Sequence, residues 1–288
     1  GKQVLTMCMG FGCNAAGIIS CRIIESPREK LIAILTNNFV PCNGRFPTLI
    51  ALAIVFMGGI FPGSSLLIAT TVVMGLILIG IAITLLTSLF LSKTILKGIP
   101  STFTLELPPF RKPQIGKVIV RSIFDRTIFV LTRAILIAAP AGLIIWFLAN
   151  TYAGEVSLLA KFAGFLDPFA KLMGLDGFIL TAFIVGLPAN EIVLPILIMS
   201  YLSTGAMLEL GSLQEMGTLF INNGWTWLTA LCTMLFSLLH YPCGTTLWTI
   251  FKETKSIKWT LLAFLIPTSI AIGICIVVAQ TIMALGLV

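Results

Sequence analysis

Residues 66–92, LLIATTVVMGLILIGIAITLLTSLFLS, form a run of 27 uncharged, largely aliphatic residues. As a helix this run reaches about 40 Å, more than the roughly 30 Å hydrocarbon core of a bilayer, which predicts a tilted or protruding transmembrane helix. The whole chain points the same way. Of its 288 residues 58% are hydrophobic and 10% charged, whereas a soluble domain is about 45–50% apolar and 25% charged. Further apolar runs at 46–61, 127–149, 226–250 and 259–287 predict more spans. The expected fold is an all-α, polytopic membrane helical bundle in a lipid bilayer.

The net charge of +7 would raise nucleic acid as a partner of a soluble chain, but here it reads as topology, with no nucleic acid implied. Seven basic residues (Lys93, Lys97, Arg111, Lys112, Lys117, Arg121, Arg126) against Glu106 and Asp125 make 93–126 a cytoplasmic loop. Pro108, Pro109 and Pro113 break it, and Val118, Ile119, Ile123 and Phe124 suggest an interfacial helical turn within it. Lys252, Lys255 and Lys258 place the start of the last span on the same side. If 127–149 leads out and 226–250 leads back, then 178–201 cannot be a simple crossing. Gly186, Pro188, Asn190 and Glu191 at its centre predict a hairpin or broken helix. The expected organisation is a first repeat over 1–92, the basic loop over 93–126, and a second repeat with the last helices over 127–288.

Four breaks carry the chemistry. The first, Met9–Gly17, reads as irregular backbone, with Cys13 and Asn14 among glycines. Ser26, Pro27 and Glu29 then start a helix that should run to Thr36. The second break, Phe39–Arg45, holds Cys42. The third, Gly186–Glu191, and the fourth, Leu239–Thr246 with His240 and Cys243, repeat this order of an Asn-bearing break followed by Pro-Cys, the trace of an internal repeat. Cys13, Cys42, Cys243 and His240 are soft to borderline donors, Asn14 and Asn190 supply neutral oxygens, and Glu191 is the one carboxylate in an apolar run. That set suits a divalent transition metal. Coordinating thiols must lose protons, so metal affinity should fall with acidification. Cys8, Cys21, Cys232 and Cys275 read as core residues. Seven cysteines, four of them in the first 42 residues, fit free thiols better than a disulfide framework. Ala15 spoils a G-x-G-x-x-G fingerprint, no G-x-x-x-x-G-K-S/T occurs, and the single histidine leaves no hydrolase triad, so no enzyme is expected.

The order Gly10-Phe11-Gly12-Cys13-Asn14, Arg22, Glu25-Ser26-Pro27-Arg28, Cys42 and Arg45, then Gly186-Leu187, Ala189, Glu191, Tyr241-Pro242-Cys243 and Lys252-Glu253-Thr254, resembles bacterial ferrous iron transport protein B. The resemblance implies a multi-pass permease of the bacterial inner membrane with two gate motifs. It implies Fe2+ as the transported ion, with Cys13, Cys42 and Cys243 lining the path, and no organic cofactor. It also implies partners: an upstream or separate GTP-binding domain, small accessory proteins of the Feo system, and a homo-oligomer. By this reading the chain begins inside a longer protein. The family's usual lysine is replaced by Asn190 and its usual proline by Ala16. Two alternatives stand beside this one: a nucleoside-type permease sharing the gate fold, and a structural or regulatory membrane subunit without transport.

Overall fold

The computed structural model describes residues 2–58, 65–96, 114–121, 128–152, 156–203 and 211–287, and the described chain is a helical bundle without a strand. Its helices are α1 (Lys2–Gly12), α2 (Asn14–Ser20), α3 (Pro27–Thr36), α4 (Phe46–Leu52), α5 (Ser65–Lys93), α6 (Ile115–Arg121), α7 (Phe129–Asn150), α8 (Leu158–Leu172), α9 (Gly177–Val185), α10 (Val193–Leu202), α11 (Leu213–Asn222), α12 (Trp227–Leu239), α13 (Gly244–Thr254) and α14 (Ile257–Ala284). Only α5 and α14, among the described residues, are single helices long and apolar enough to cross a bilayer unaided. Both leave most of their surface, including Leu66, Leu78, Leu86, Leu261 and Val277, exposed. In a bilayer that surface meets lipid.

Apart from α7, 22 residues long with Pro140 inside it, most of the remaining helices are shorter pieces, and the ends of two pairs show how they are joined. Lys2 at the start of α1 pairs with Glu25 just beyond α2 at 2.8 Å. The chain therefore enters and leaves on one side, and α1–α2 is a hairpin with its tip at Cys13. Asp176, the N-cap of α9, accepts a hydrogen bond from Tyr201 near the end of α10, and Trp225 donates to the same hydroxyl at 2.7 Å. Thus α9–α10 is a second hairpin, with its tip at Gly186–Glu191. Nine or ten residues of helix rise only about 15 Å, half a bilayer core, so the tips sit near mid-depth.

Each hairpin is matched by a spanning helix broken at mid-depth. Segment α3–α4 is interrupted at 37–45, and α12–α13 at 240–243. The start of α3 forms as the sequence dictates: Ser26 caps the Glu29 amide at 3.4 Å and Pro27 occupies the first turn. The same order recurs twice in the chain: hairpin, broken helix, long span. One end of the bundle is basic. There Arg22 and Lys30 meet Glu253, Arg28 caps the α5 C-terminus through the Ser92 and Leu96 carbonyls, and Lys252 and Lys258 lie over the rings of Trp248 and Trp259. Lysines snorkelling beside tryptophans mark a membrane–water boundary.

Several expectations are corrected. The run 226–250 is not one continuous helix, because Pro242 cannot continue α12 and the carbonyls of Leu238, His240 and Tyr241 are turned to Arg45. The run 46–61 is α-helical only to Leu52 and continues as a wider π turn over Ala53–Met57. The stretch Met9–Gly17 is helical except at Cys13, whose φ of −156° and ψ of 125° are extended. Cys21, Cys232 and Cys275 are buried as expected, but Cys8 is exposed on the outer face of α1. In the basic loop α6 provides a short helix, while Lys97, Arg111, Lys112, Pro108, Pro109, Pro113, Ile123, Phe124 and Arg126 lie outside the described residues.

The sharp α8–α9 corner, bent by 110°, turns through Gly174 at φ +69° and brings Gly177 against α8. A Cβ at Gly177 would stand 2.0 Å from the Ala163 carbonyl oxygen. Backbone cannot yield cheaply, so Gly177→Ala should destabilise the chain by about 3 kcal/mol. Gly164→Ala, whose Cβ meets nothing within 4 Å, should stay within about 0.5 kcal/mol of the parent. Thermal unfolding of the two variants in one detergent checks this. Equal midpoints would refute the close approach.

Candidate functional site

The four breaks come together at mid-depth. Asn43 in the second break donates its amide to Gly12 at the first hairpin tip (3.4 Å), and Gly244 in the fourth donates to Leu187 at the second tip (2.7 Å). Each tip is thus tied to the break of a spanning helix. Hydrogen bonds also cross between the halves. Asn38 donates across to the His240 carbonyl; within the first half it accepts from Asn14 Nδ2 at 3.3 Å, and within the second Tyr241 donates its hydroxyl to Phe183 at the end of α9 at 2.6 Å.

The two tips are built alike. Cys13 precedes Asn14 with φ −156° and ψ 125°, and Ala189 precedes Asn190 with φ −150° and ψ 124°. Asn14 and Asn190 are both buried, and each presents a carboxamide oxygen without a hydrogen-bond partner. Of the five partnerless buried side-chain atoms among the described residues, four belong to the breaks: Oδ1 of Asn14, Asn37 and Asn190, and Nε of Arg45. Buried carboxamide oxygens left open cost about 1–3 kcal/mol each unless something binds them. Asn37 itself is clasped between Gly10 and Gly17, where an added Cβ would fall 2.9 and 2.7 Å from its side-chain amide. The first-tip glycines therefore serve packing as much as backbone freedom.

Cys42 is buried, and its sulfur accepts from Asn190 Nδ2 at 3.8 Å. Cys243 is half-buried at the N-terminus of α13, 3.2 Å from the Thr246 hydroxyl, while Cys13 is exposed at the tip. All seven cysteines are free thiols. Glu191 points away from Asn190 into an open cavity of about 420 Å³ bounded by Pro47, Thr48, Leu194, Pro195 and Met216. Its side chain passes over Gly44, where a Cβ would stand 3.1 Å from Glu191 Cγ. His240 is placed differently from the thiols. It is 1% exposed, its Nδ1 engages the Phe236 and Ser237 carbonyls at 2.9 Å, and its ring packs between Phe183 and Tyr241. That nitrogen finishes α12. Among the described residues no three His, Cys, Asp or Glu side chains are gathered closely enough to hold a metal ion in this conformation.

The residue the motifs did not single out as functional is Arg45, which is fully buried. Its Nη1 donates to the carbonyls of Asn38 (3.0 Å) and Leu238 (2.7 Å). Its Nη2 donates to Asn38 Oδ1 (3.1 Å) and to the carbonyls of His240 (3.2 Å) and Tyr241 (3.1 Å). No carboxylate takes part. An isolated charge in such a place would cost tens of kcal/mol. Charge-assisted hydrogen bonds of about 1.5–3 kcal/mol each, and two helix C-termini carrying roughly −0.5 charge apiece, offset it.

With this geometry in view, two family models match the sequence. One, a gate described as nucleoside recognition, matches residues 131–257. The other, described as ferrous iron transport protein B C terminus, matches 73–125. Among curated relatives, Fe(2+) transporter FeoB of Staphylococcus aureus (strain MSSA476) is 32% identical over 93% of this chain and 39% of its own length. Fe(2+) transporter FeoB of Methanocaldococcus jannaschii is 28% identical over 97% of this chain and 41% of its own. A Porphyromonas gingivalis Fe(2+) transport protein A/Fe(2+) transporter FeoB fusion protein is 26% identical over 94% and 36%. The chain spans about two-fifths of the length of these relatives. No solved structure matches.

Proposed function

The chain is a C-terminal membrane region of the FeoB type, and on that premise we propose that it forms the passage for ferrous iron through a bacterial inner membrane. The observation that carries this reading is the meeting of the four breaks. It ties the tip that bears Cys13 to the break that bears Cys42, and the break that bears Cys243 to the second tip, with Cys42 against Asn190 and the carboxamide oxygens of Asn14 and Asn190 left open. The ion first meets Glu191 in its cavity, passes Gly44, and exchanges water for thiolates and carboxamides at the tips. Thiolate with neutral oxygen favours a borderline transition metal over magnesium or calcium. The scattered donors favour one or two thiolates at a time, which leaves binding weak enough for release. His240 stays a helix cap and structural neighbour of this path rather than a ligand.

The basic end faces the cytoplasm under the positive-inside rule, with the two repeats covering 1–92 and 127–288 on either side of the loop 93–126. Catalysis has no place in this part. A GTP-binding domain upstream or on another chain, small accessory proteins and a homo-oligomer are the partners this reading assigns.

Anaerobic uptake of radioactive Fe(II) by the full-length transporter tests it. Serine at Cys13, Cys42 and Cys243 together should lower uptake on the order of 10- to 100-fold at equal membrane abundance. Undiminished uptake would make the thiols incidental to iron passage, whereas a parent that takes up no Fe(II) would favour a nucleoside-type cargo. For the parent, ligand deprotonation predicts that Fe(II) affinity weakens as pH falls from about 8 to 6. A flat pH profile would remove thiolate from the account.

A further inference from the structure

Arg45 is a cation held as transporters hold a bound cation. Five acceptor contacts surround it, four of them backbone carbonyls, and they come from the ends of two antiparallel broken helices, α3 and α12. Unwound carbonyls and half-helix C-termini at mid-depth are the groups that coordinate small cations in transporters built from broken helices. Here no anion shares the site, and the guanidinium is fully buried with its Nε unpartnered. Hydrogen-bond demand thus does not shape the nest around an arginine in particular, since one of its donors is left without use. What the nest supplies is negative potential on five oxygens.

We propose that this nest is a monovalent-cation site which the chain fills permanently with its own side chain, so that the crossing of the two halves is locked without a coupling ion such as sodium. Asn38 belongs to the site twice, through its carbonyl and its Oδ1, and it also reaches Asn14 at the first hairpin tip. A charge in the nest therefore sets the position of that tip, and Arg45 is a positioning residue. The cation site stands on geometry alone. Its consequence for ion coupling rests on the reading of the chain as a permease.

The test compares the parent, Arg45→Ala, Arg45→Lys and Arg45→Gln in lipid nanodiscs, with sodium, potassium, guanidinium or choline chloride at one ionic strength. The parent should melt at the same temperature in all four salts. Arg45→Ala should melt about 10 °C lower in choline and recover saturably with guanidinium or sodium concentration, as linkage to a bound ion requires. Fe(II) uptake by the full-length Arg45→Ala transporter should become at least about 5-fold faster in sodium than in choline. Should Arg45→Ala not accumulate, Arg45→Lys should accumulate and remain indifferent to sodium while Arg45→Gln does not accumulate. An Arg45→Ala protein whose melting ignores all four salts, a parent that itself requires sodium, or an Arg45→Gln protein as stable as Arg45→Lys would each overturn the proposal. Salt-dependent melting without salt-dependent uptake would keep the cation site and refute its place in transport.

Discussion

Asn38→Ala should cost the chain its folded membrane core. The Asn38 side chain, 4% exposed, accepts from Asn14 at the first tip and from Arg45 in the second break, and it donates to the His240 carbonyl in the fourth. Alanine would leave the Asn14 amide unpaired and take one acceptor from a buried guanidinium. Unpaired buried donors cost about 1–3 kcal/mol, and stripping partners from a buried charge costs about 3–5 kcal/mol, so the combined loss approaches the 5–15 kcal/mol stability of a whole domain. The expected result is little or no monodisperse protein after detergent extraction, with the midpoint of any remainder lowered by 10 °C or so. Asn38→Asp should fall between the two. It keeps the acceptor for Asn14 and Arg45 but sets a carboxylate oxygen against the His240 carbonyl. An Asn38→Ala protein with a parental melting curve would mean that the three breaks are not joined through this residue.

The second large effect is on transport rather than folding. Gly44 sits where the Glu191 side chain crosses from its cavity towards the breaks, with Cγ 3.1 Å and Oε1 3.4 Å from the place of a Cβ. Gly44→Ala asks a flexible carboxylate to move by a few tenths of an ångström and should retain most activity. Gly44→Val adds two more methyl groups to the same gap, which pushes Glu191 aside and narrows the throat of the cavity. Fe(II) uptake by the full-length transporter should drop on the order of 100-fold, because a misplacement of about 1 Å at a working site costs that much. Its melting temperature should stay near the parental one, since Gly44 is only half-buried and its backbone is unstrained. Full uptake by Gly44→Val would place the path elsewhere.

Much of the fold was legible because bilayer physics is strict. The uncharged run 66–92, the Ser26-Pro27-Glu29 helix start and the punctuated stretch around Gly186 translate into α5, α3 and the second hairpin with small shifts of boundary. The parity argument from Lys252, Lys255 and Lys258 required a hairpin or break over 178–201, and the Asp176–Tyr201 contact closes one there. Hydropathy misled at 226–250, because an apolar run looks the same whether its carbonyls bond to its own helix or to Arg45. Only a residue 193 positions away from Leu238 decides that.

The site was legible as chemistry and not as geometry. Cys13, Cys42, Cys243, Asn14 and Glu191 could be singled out by their breaks, but the sequence did not show that the breaks meet. Asn37 and Asn38 read only as a helix end, and Arg45 only as part of a motif. The signal that could have found Arg45 is the placement of a charge in an apolar break with no acidic residue between Lys30 and Lys93. A buried arginine without an acid must find carbonyls, and free carbonyls at mid-depth exist only where helices are broken.

The most direct test of the central claim is an anaerobic Co(II) titration of the purified chain beside the variant with serine at Cys13, Cys42 and Cys243, because cobalt reports thiolate ligation by a charge-transfer absorption. The account predicts a saturable thiolate-to-cobalt band in the parent that Fe(II) displaces, Mg(II) leaves in place and the serine variant lacks. Saturable cobalt binding of equal strength in both proteins, without that band, would contradict it.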